Sequence, residues 1–417
     1  MDNVVGFSNC KDYNKCDELV KVSNFNIFFY FGLFFIPFDN LFFAPSSGWA
    51  TIAPFFFLFY VFLNIRNISF KFKKIDIIFL LLFLIIGPIH GLIYGEIFSI
   101  IDSIGTIILG FSFYFSLKIF SNSTNTNLKN IVLILFIGYL LSYLYGLISL
   151  IPNSSIDSFL KMVEKRHYSR LHFSFTEPSF ISMHLYGVIF PIAIYFKSKK
   201  LFALGVLFLI TTLLFGESAR FYLDTLIIVG LYGVYKMKQK GLKYVFVFLI
   251  LGFLAVLSLY LIIKYTYPRL LSIYEKGVYS DNSLAARWFR VNAIIHGIDL
   301  KGFFLGYGLS NTWIPFNNGY SYALSQYDNS YLVEVNNLAN TRGSSFYCMP
   351  LRIISEMGIF ALLVCLFKLA SKNYWFYFFI IVWLYLQFDS YAFYAVWIYL
   401  FIKGEKNDFS NSSNLQY

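Results

Sequence analysis

Charge is scarce in this chain. Asp, Glu, Lys and Arg make up 13% of its 417 residues, about half the share in a soluble protein. With 58% hydrophobic residues and a mean hydropathy of +0.64, it cannot cover its own surface in water. A soluble globular fold is excluded. Alternating short strands are missing as well. An outer-membrane barrel would need them, whereas stretches such as 25–35, interrupted only at Asn26, and 77–86 are continuous apolar runs. Only helices and closed barrels satisfy their backbone inside lipid, so the reading is an all-α, polytopic integral membrane bundle. Cysteines are few: Cys10, Cys16, Cys348 and Cys365 show no ligand-like pairing with His. Neither a zinc site nor a disulfide framework is expected. Nor is a cleavable signal peptide, because the first apolar segment follows about 24 polar residues and has no small-residue cleavage site.

At about 20 residues per crossing, the apolar content suffices for at most about twelve spans. Twelve segments can be marked, at 25–43, 49–65, 75–93, 97–117, 130–151, 174–196, 201–216, 221–235, 244–264, 346–367, 374–387 and 390–402. The last two are divided only weakly, by Gln387, Phe388 and Asp389. Basic residues crowd alternate connections. The N-terminal tail holds Lys11, Lys15 and Lys21, and 64–74 holds Arg66, Lys71, Lys73 and Lys74. Residues 118–129, 197–200, 236–243, 368–372 and the C-terminal tail continue the pattern, while 44–48, 94–96 and 388–391 hold no Lys or Arg. The positive-inside rule then places both termini and the Lys-rich connections in the cytoplasm. Membrane anchoring accounts for the net charge of +11 without nucleic acid. Three parts follow: a bundle of nine spans over 1–264 with an external loop at 152–173, a large external loop at 265–345, and three spans with a cytoplasmic tail over 346–417. The large loop, with Trp288, Trp313 and many Tyr and Asn, is expected to form a lid of amphipathic helices. No internal repeat stands out, which weakens an inverted-repeat transporter reading.

Arginine is distributed differently from lysine. Of 24 Lys, 19 fall on the cytoplasmic side of this topology, but eight of nine Arg fall on or near the external face: Arg166, Arg170, Arg220, Arg269, Arg287, Arg290, Arg342 and Arg352. Guanidinium offers a planar donor fork that matches phosphate oxygens and stays charged when partly desolvated. An Arg at a helix centre costs about 2.5–3.5 kcal/mol, so Arg220 and Arg352 need partners: a bound anion, or the nearby Glu217 and Glu356. Four constellations carry the signal. Arg166-His167-Tyr168-Ser169-Arg170-Leu171-His172 runs into Phe175-Thr176-Glu177-Pro178-Ser179 at the start of a span. There Glu177 is either a capping carboxylate or a functional one. Gly216-Glu217-Ser218-Ala219-Arg220 forms a tight turn between spans. Ser283 to Arg290 sets Arg287 and Arg290 on one helical face, with His296 further on and Gly302, Gly306 and Gly308 marking a loop. Thr341-Arg342-Gly343-Ser344-Ser345 leads into a span with Arg352 and Glu356, an i, i+4 pair open to a plain salt bridge. His90 and His184, in apolar runs, read as satisfied bundle residues. Asp102 and Asp224 are undecided.

These constellations resemble the bacterial O-antigen polymerase family, the Wzy class, within a superfamily that includes the O-antigen ligases. Arg170 to Ser179 is similar to the family's external Arg followed by an aromatic-rich Glu-Pro-Ser turn. Gly216 to Arg220 resembles its Ser-x-Arg element between spans. Arg287 to Gly308 resembles its Arg-Trp segment and Gly-rich loop, and Ser344 to Gly358 the next span, ending in Glu356-Met357-Gly358. Where ligases carry a His-Asn, this chain has Ser344, Ser345, Phe346 and Tyr347, a departure that favours polymerase over ligase. The resemblance implies substrates in the form of undecaprenyl-pyrophosphate-linked oligosaccharide repeats on the periplasmic face of the inner membrane. It makes a chain-length regulator and a repeat-unit flippase candidate partners. Arg170, Arg220 and Arg287 are then the expected pyrophosphate clamps, backed by Arg166, Arg290, Arg342 and Arg352. Glu177, or else His172 or His296, orients or deprotonates the acceptor hydroxyl. No metal signature accompanies them, so no metal and no cofactor are expected.

Overall fold

The computed structural model describes residues 26–41, 51–65, 74–95, 97–122, 129–151, 162–164, 170–175, 177–216, 218–240, 282–326, 348–371 and 374–409, with 252, 256, 259–261, 263–264 and 267–276. Among the described residues every regular element is helical, and one isolated bridge joins Leu41 to Glu164. Among the described residues, four helical stretches are long and apolar enough to cross a membrane: Ile77–Tyr94, Ser99–Ser121, Lys129–Ser149 and Met349–Leu369. The fold is that of a helical membrane protein.

Helices lie over eleven of the twelve apolar segments, but several are shorter than the apolar run that contains them. The ninth, 244–264, falls largely outside the described residues. α1 (Asn26–Phe35) stops well before residue 43. Its last turn meets Pro37, which disfavours helical backbone at the preceding residue, and the chain turns through Phe38, Asp39 and Asn40 instead. α2 (Ala53–Leu63) begins with Pro54 in its first turn, where the missing N–H costs nothing. Ten residues rise only about 15 Å, half the hydrocarbon thickness. The apolar stretch at 374–402 resolves into two helices, Trp375–Tyr385 and Tyr394–Phe409, separated by a turn over 386–393.

Two of the described spans, 74–94 and 180–195, pass through a widened turn. α3 (Lys74–Leu81) passes through a π-helical turn, Leu82–Ile86, into α4 (Gly87–Tyr94). The same happens where α7 (Phe180–His184) passes through Leu185–Ile189 into α8 (Phe190–Tyr195). Each π-turn sits just before a proline, Pro88 or Pro191. A proline inside a helix lacks the N–H and crowds the carbonyl four residues back, and a wider turn relieves both.

The rest of the bundle comprises α5 (Ile97–Asn122), α6 (Lys129–Ser149), α9 (Lys199–Phe215) and α10 (Ala219–Lys240), and after the large loop α15 (Met349–Leu369), α16 (Trp375–Tyr385) and α17 (Tyr394–Phe409). Lipid provides no hydrophobic drive between helices, so close packing must hold them. Interlocked aromatic rings supply it. Phe29 of α1 stacks on Phe120 of α5 at 4.4 Å between centroids, and Phe57 of α2 meets Phe113 at 4.7 Å. Phe111 meets Trp397 of α17 at 4.8 Å.

Connections gather at the two ends of the bundle by chemistry. At one end, Lys403 Nζ donates to the carbonyls of Lys368 and Ala370, and Lys118 lies over the Phe401 ring. The other end collects connections poor in lysine. Asn40 N–H donates to Ser174 O, Met349 N–H to Phe388 O, and Asn311 Nδ2 to Gly91 O.

Within the large loop lie α11 (Tyr267–Lys276), α12 (Asn282–Gly297), α13 (Leu300–Leu305) and α14 (Trp313–Ser325). α12 and α14 form a pair with a small core of Phe289, Ala293, Ile294, Phe316 and Ala323. The backbones touch at Gly319, where any Cβ would strike the Ala293 carbonyl. The chain then docks on the bundle. α15 is broken at Gly358 (φ 81°, ψ 172°), a conformation essentially confined to glycine. The break takes the Ser355 and Glu356 carbonyls out of the helical ladder. Tyr307 N–H (2.8 Å) and Gly308 N–H (2.7 Å) from the loop satisfy them.

Candidate functional site

The turn Glu177-Pro178-Ser179 starts α7. Glu177 accepts the Phe180 N–H on its carbonyl at 2.9 Å and the Ser179 hydroxyl on Oε2 at 3.1 Å. Its carboxylate therefore sits at the positive end of a helix, half-buried. Ser218 opens α10 in the manner of a cap: its Oγ accepts the Phe221 N–H at 3.4 Å and its carbonyl the Tyr222 N–H at 3.1 Å. Arg220 is thereby fixed in the first turn of a long helix. A cation there is opposed by the helix dipole, which favours anions.

Arg220 is nevertheless buried, with 9% of its side chain exposed. Its Nε lies 3.7 Å from Asp224 Oδ2, one turn further along α10. That is an ion pair beyond hydrogen-bonding reach. Nε and Nη2 are shielded from solvent and find no hydrogen-bond partner among the described residues. Buried polar groups are almost always satisfied, and an orphaned donor costs about 1–3 kcal/mol, more when charged. Arg287 of α12 is close enough to repel Arg220, and Glu177 to attract it. Three segments spread over 110 residues of chain thus bring Glu177, Arg220 and Arg287 into one electrostatic neighbourhood.

Asp224 is the hub beneath them, fully buried. Ser182 Oγ of α7 donates to Oδ2 at 2.6 Å. Trp383 Nε1 of α16 and Gln387 Nε2 just beyond it donate to Oδ1 at 2.8 Å and 2.9 Å. The sequence leaves Asp224 undecided and gives no sign of Ser182, Trp383 or Gln387. The available signal is spacing: Arg220 and Asp224 are i, i+4, as are Trp383 and Gln387.

The other expected site residues lie elsewhere. His172 is buried, with Nε2 3.2 Å from Glu164 Oε1 and Nδ1 3.2 Å from the Arg170 carbonyl; Tyr145 also donates to Glu164, at 2.8 Å. Arg170 itself is exposed on the loop that packs against 37–41. His296 is exposed and lies against the Tyr322 ring, centroids 3.8 Å apart. Nine residues are two and a half helical turns, so it stands on the opposite face of α12 from Arg287. Arg290 is half-buried on α12. Arg166 and Arg342 fall outside the described residues, as does Glu217.

Arg352 belongs to a separate, closed cluster. Its Nε donates to Glu356 Oε1 at 3.1 Å, its Nη1 to the Asp389 carbonyl at 2.7 Å, and its guanidinium lies 4.6 Å from the centre of the Tyr391 ring. Glu356 also accepts the Tyr391 hydroxyl at 2.6 Å and the Ser310 N–H at 3.3 Å. The plain salt bridge is the reading that fits. His184 is satisfied as a bundle residue, between the Tyr139 hydroxyl (2.9 Å) and Asp39 Oδ2 (3.4 Å) with its ring stacked on Phe175. Among the described residues no three His, Cys, Asp or Glu side chains group as metal ligands.

A guanidinium with two unspent donors among the described residues, a second arginine and a carboxylate make a site chemically suited to an anion with a hydroxyl beside it. No family model, curated protein or solved structure matches the chain.

Proposed function

We propose that the protein is a surface-polysaccharide polymerase of the O-antigen type, a membrane glycosyltransferase that joins undecaprenyl-pyrophosphate-linked oligosaccharide repeats. In this reading the chain crosses the bacterial inner membrane twelve times, with both termini cytoplasmic and the Arg220 site on the periplasmic side. The observation that carries it is Arg220, whose buried Nε and Nη2 find no hydrogen-bond partner among the described residues while Arg287 and Glu177 stand within electrostatic reach. Three of the four motifs that resemble the polymerase family supply Glu177, Arg220 and Arg287. Sidedness rests on the lysine count, and the convergence of Lys118, Lys368 and Lys403 at one end of the bundle supports it.

The reaction forms a bond between an acceptor sugar hydroxyl and the anomeric carbon of the growing chain. The bond from that carbon to the pyrophosphate oxygen breaks, and its electron pair leaves with undecaprenyl pyrophosphate. That leaving group is already a stable anion, so the main requirement is cationic stabilisation of the departing charge and alignment of the acceptor. Arg220 and Arg287 meet the first requirement, and the resemblance to the polymerase family adds Arg170, exposed on the loop that packs against 37–41. Glu177 accepts the hydroxyl proton.

The test is reconstitution in liposomes with the lipid-pyrophosphate-linked repeat, read as a ladder of lipid-linked oligomers. The wild-type chain produces the ladder. Arg220→Lys and Arg170→Lys keep the charge and lose the fork, and each slows extension at least about tenfold, equivalent to about 1.4 kcal/mol of transition-state stabilisation. Normal ladders from both variants would end the bidentate-clamp account.

A further inference from the structure

Two arginines in this chain have a carboxylate four residues on, and the two pairs differ in what the carboxylate does. In Arg352–Glu356 the partners meet at 3.1 Å, and the guanidinium spends further donors on the Asp389 carbonyl. This is the ordinary outcome, since charge-assisted hydrogen bonds between Arg and carboxylate are strong in a low-dielectric interior. In Arg220–Asp224 the separation is 3.7 Å, and no hydrogen bond forms. The cause is visible around Asp224. Ser182 occupies Oδ2, while Trp383 and Gln387 together occupy Oδ1. All three donors are neutral. They fill both lone-pair sites of Oδ1 and one of Oδ2 without cancelling the charge of Asp224, so its negative charge balances the guanidinium electrostatically. Nε and Nη2 of Arg220 stay without a hydrogen-bond partner among the described residues.

We propose that Trp383 and Gln387 are positioning residues for the anion site: by saturating Oδ1 they hold Asp224 where it neutralises Arg220 without consuming its donor fork. This rests on the reading of Arg220 as the pyrophosphate-binding group. It assigns a role to α16, which carries none of the arginine motifs. It also explains how a buried arginine stays poised for a ligand rather than closing on its own helix. Removing the two donors frees Oδ1, and the carboxylate swings onto the guanidinium as Glu356 does on Arg352.

The experiment titrates inorganic pyrophosphate into the purified full-length protein in detergent and follows binding by calorimetry. Size-exclusion monodispersity confirms that each variant is folded. Trp383→Phe keeps the aromatic packing and removes the N–H, Gln387→Met keeps the shape and removes the amide, and Trp383→His retains a ring N–H donor. The expected result is pyrophosphate binding by the wild type, about tenfold weaker binding by Trp383→Phe/Gln387→Met, a smaller loss in Gln387→Met alone, and recovery in Trp383→His relative to Trp383→Phe. If the double variant binds like the wild type while Arg220→Lys does not, the positioning role is overturned and the anion site stands. Failure of Trp383→His to recover binding also overturns it, because packing rather than the donor would then matter. If the wild type does not bind pyrophosphate, or Arg220→Lys binds equally well, the anion reading falls and this inference with it.

Discussion

Arg220 and Arg352 show how the same residue serves two purposes in one chain. Arg352 is built into the fold, and removing its partner leaves a buried cation unbalanced. Glu356→Ala is therefore expected to cost about 3–5 kcal/mol, read as a large drop in the temperature at which monodisperse protein is lost. Arg220→Lys should leave that temperature nearly unchanged and lower activity instead. Asp299 gives a pH-dependent prediction. Its carboxyl is held below the ordinary value of 3.8, first by the Gly302 N–H and then by the Tyr307 hydroxyl. A carboxylate with a depressed folded pKa contributes stability that is fully present above 3.8 and disappears as pH falls through the folded value. Protection of the amides in 300–305, measured by hydrogen exchange, should accordingly fall in that acid range, and Asp299→Asn should remove the dependence. Of the site itself, Glu177, Arg220 and Arg287 were legible in the sequence because each stands in a charge-bearing motif within an apolar chain. Trp383 and Gln387 were not. They meet Asp224 from across the bundle, 159 and 163 residues away, and no local pattern separates them from lipid-facing or packing residues.

The helices lay in the sequence as apolar runs, and their breaks mostly did not. Hydropathy finds a stretch such as 25–43 but cannot see that Pro37 ends the helix early, because membrane-depth backbone can leave the helix where protein covers it. The π-turns before Pro88 and Pro191 follow from proline sterics, yet their position depends on the neighbouring helices. Gly358 is the clearest case. The sequence offers it as part of Glu356-Met357-Gly358, with nothing to say that the large loop returns to this point. Its positive φ and the Phe304 carbonyl that any Cβ would strike make the site intolerant of side chains. Gly358→Ala should cost about 1–3 kcal/mol in backbone strain alone, more with the clash, and should release the 306–308 segment from α15. Faster proteolysis within 300–326, with the bundle intact, is the expected readout. Unchanged proteolysis would mean that the loop is held elsewhere.

Across the whole molecule, lysine and arginine divide the labour of positive charge. Lysines cluster where Lys118, Lys368 and the C-terminal helix meet, as membrane anchors do. Arg287, on the helical pair from the large loop, and Glu177 stand within electrostatic reach of Arg220. That separation suits one end for anchoring and another for an anionic substrate, and with Arg220 it motivates the proposal of lipid-linked repeat polymerisation. The most direct test deletes the gene in its host and resolves the extracted surface glycan on a gel. The account predicts core carrying a single repeat, with the ladder abolished and restored by the wild-type gene but not by Arg220→Lys. An undiminished ladder would contradict it. So would bare core with lipid-linked polymer accumulating in the periplasm, which would make the protein the ligase of the pathway.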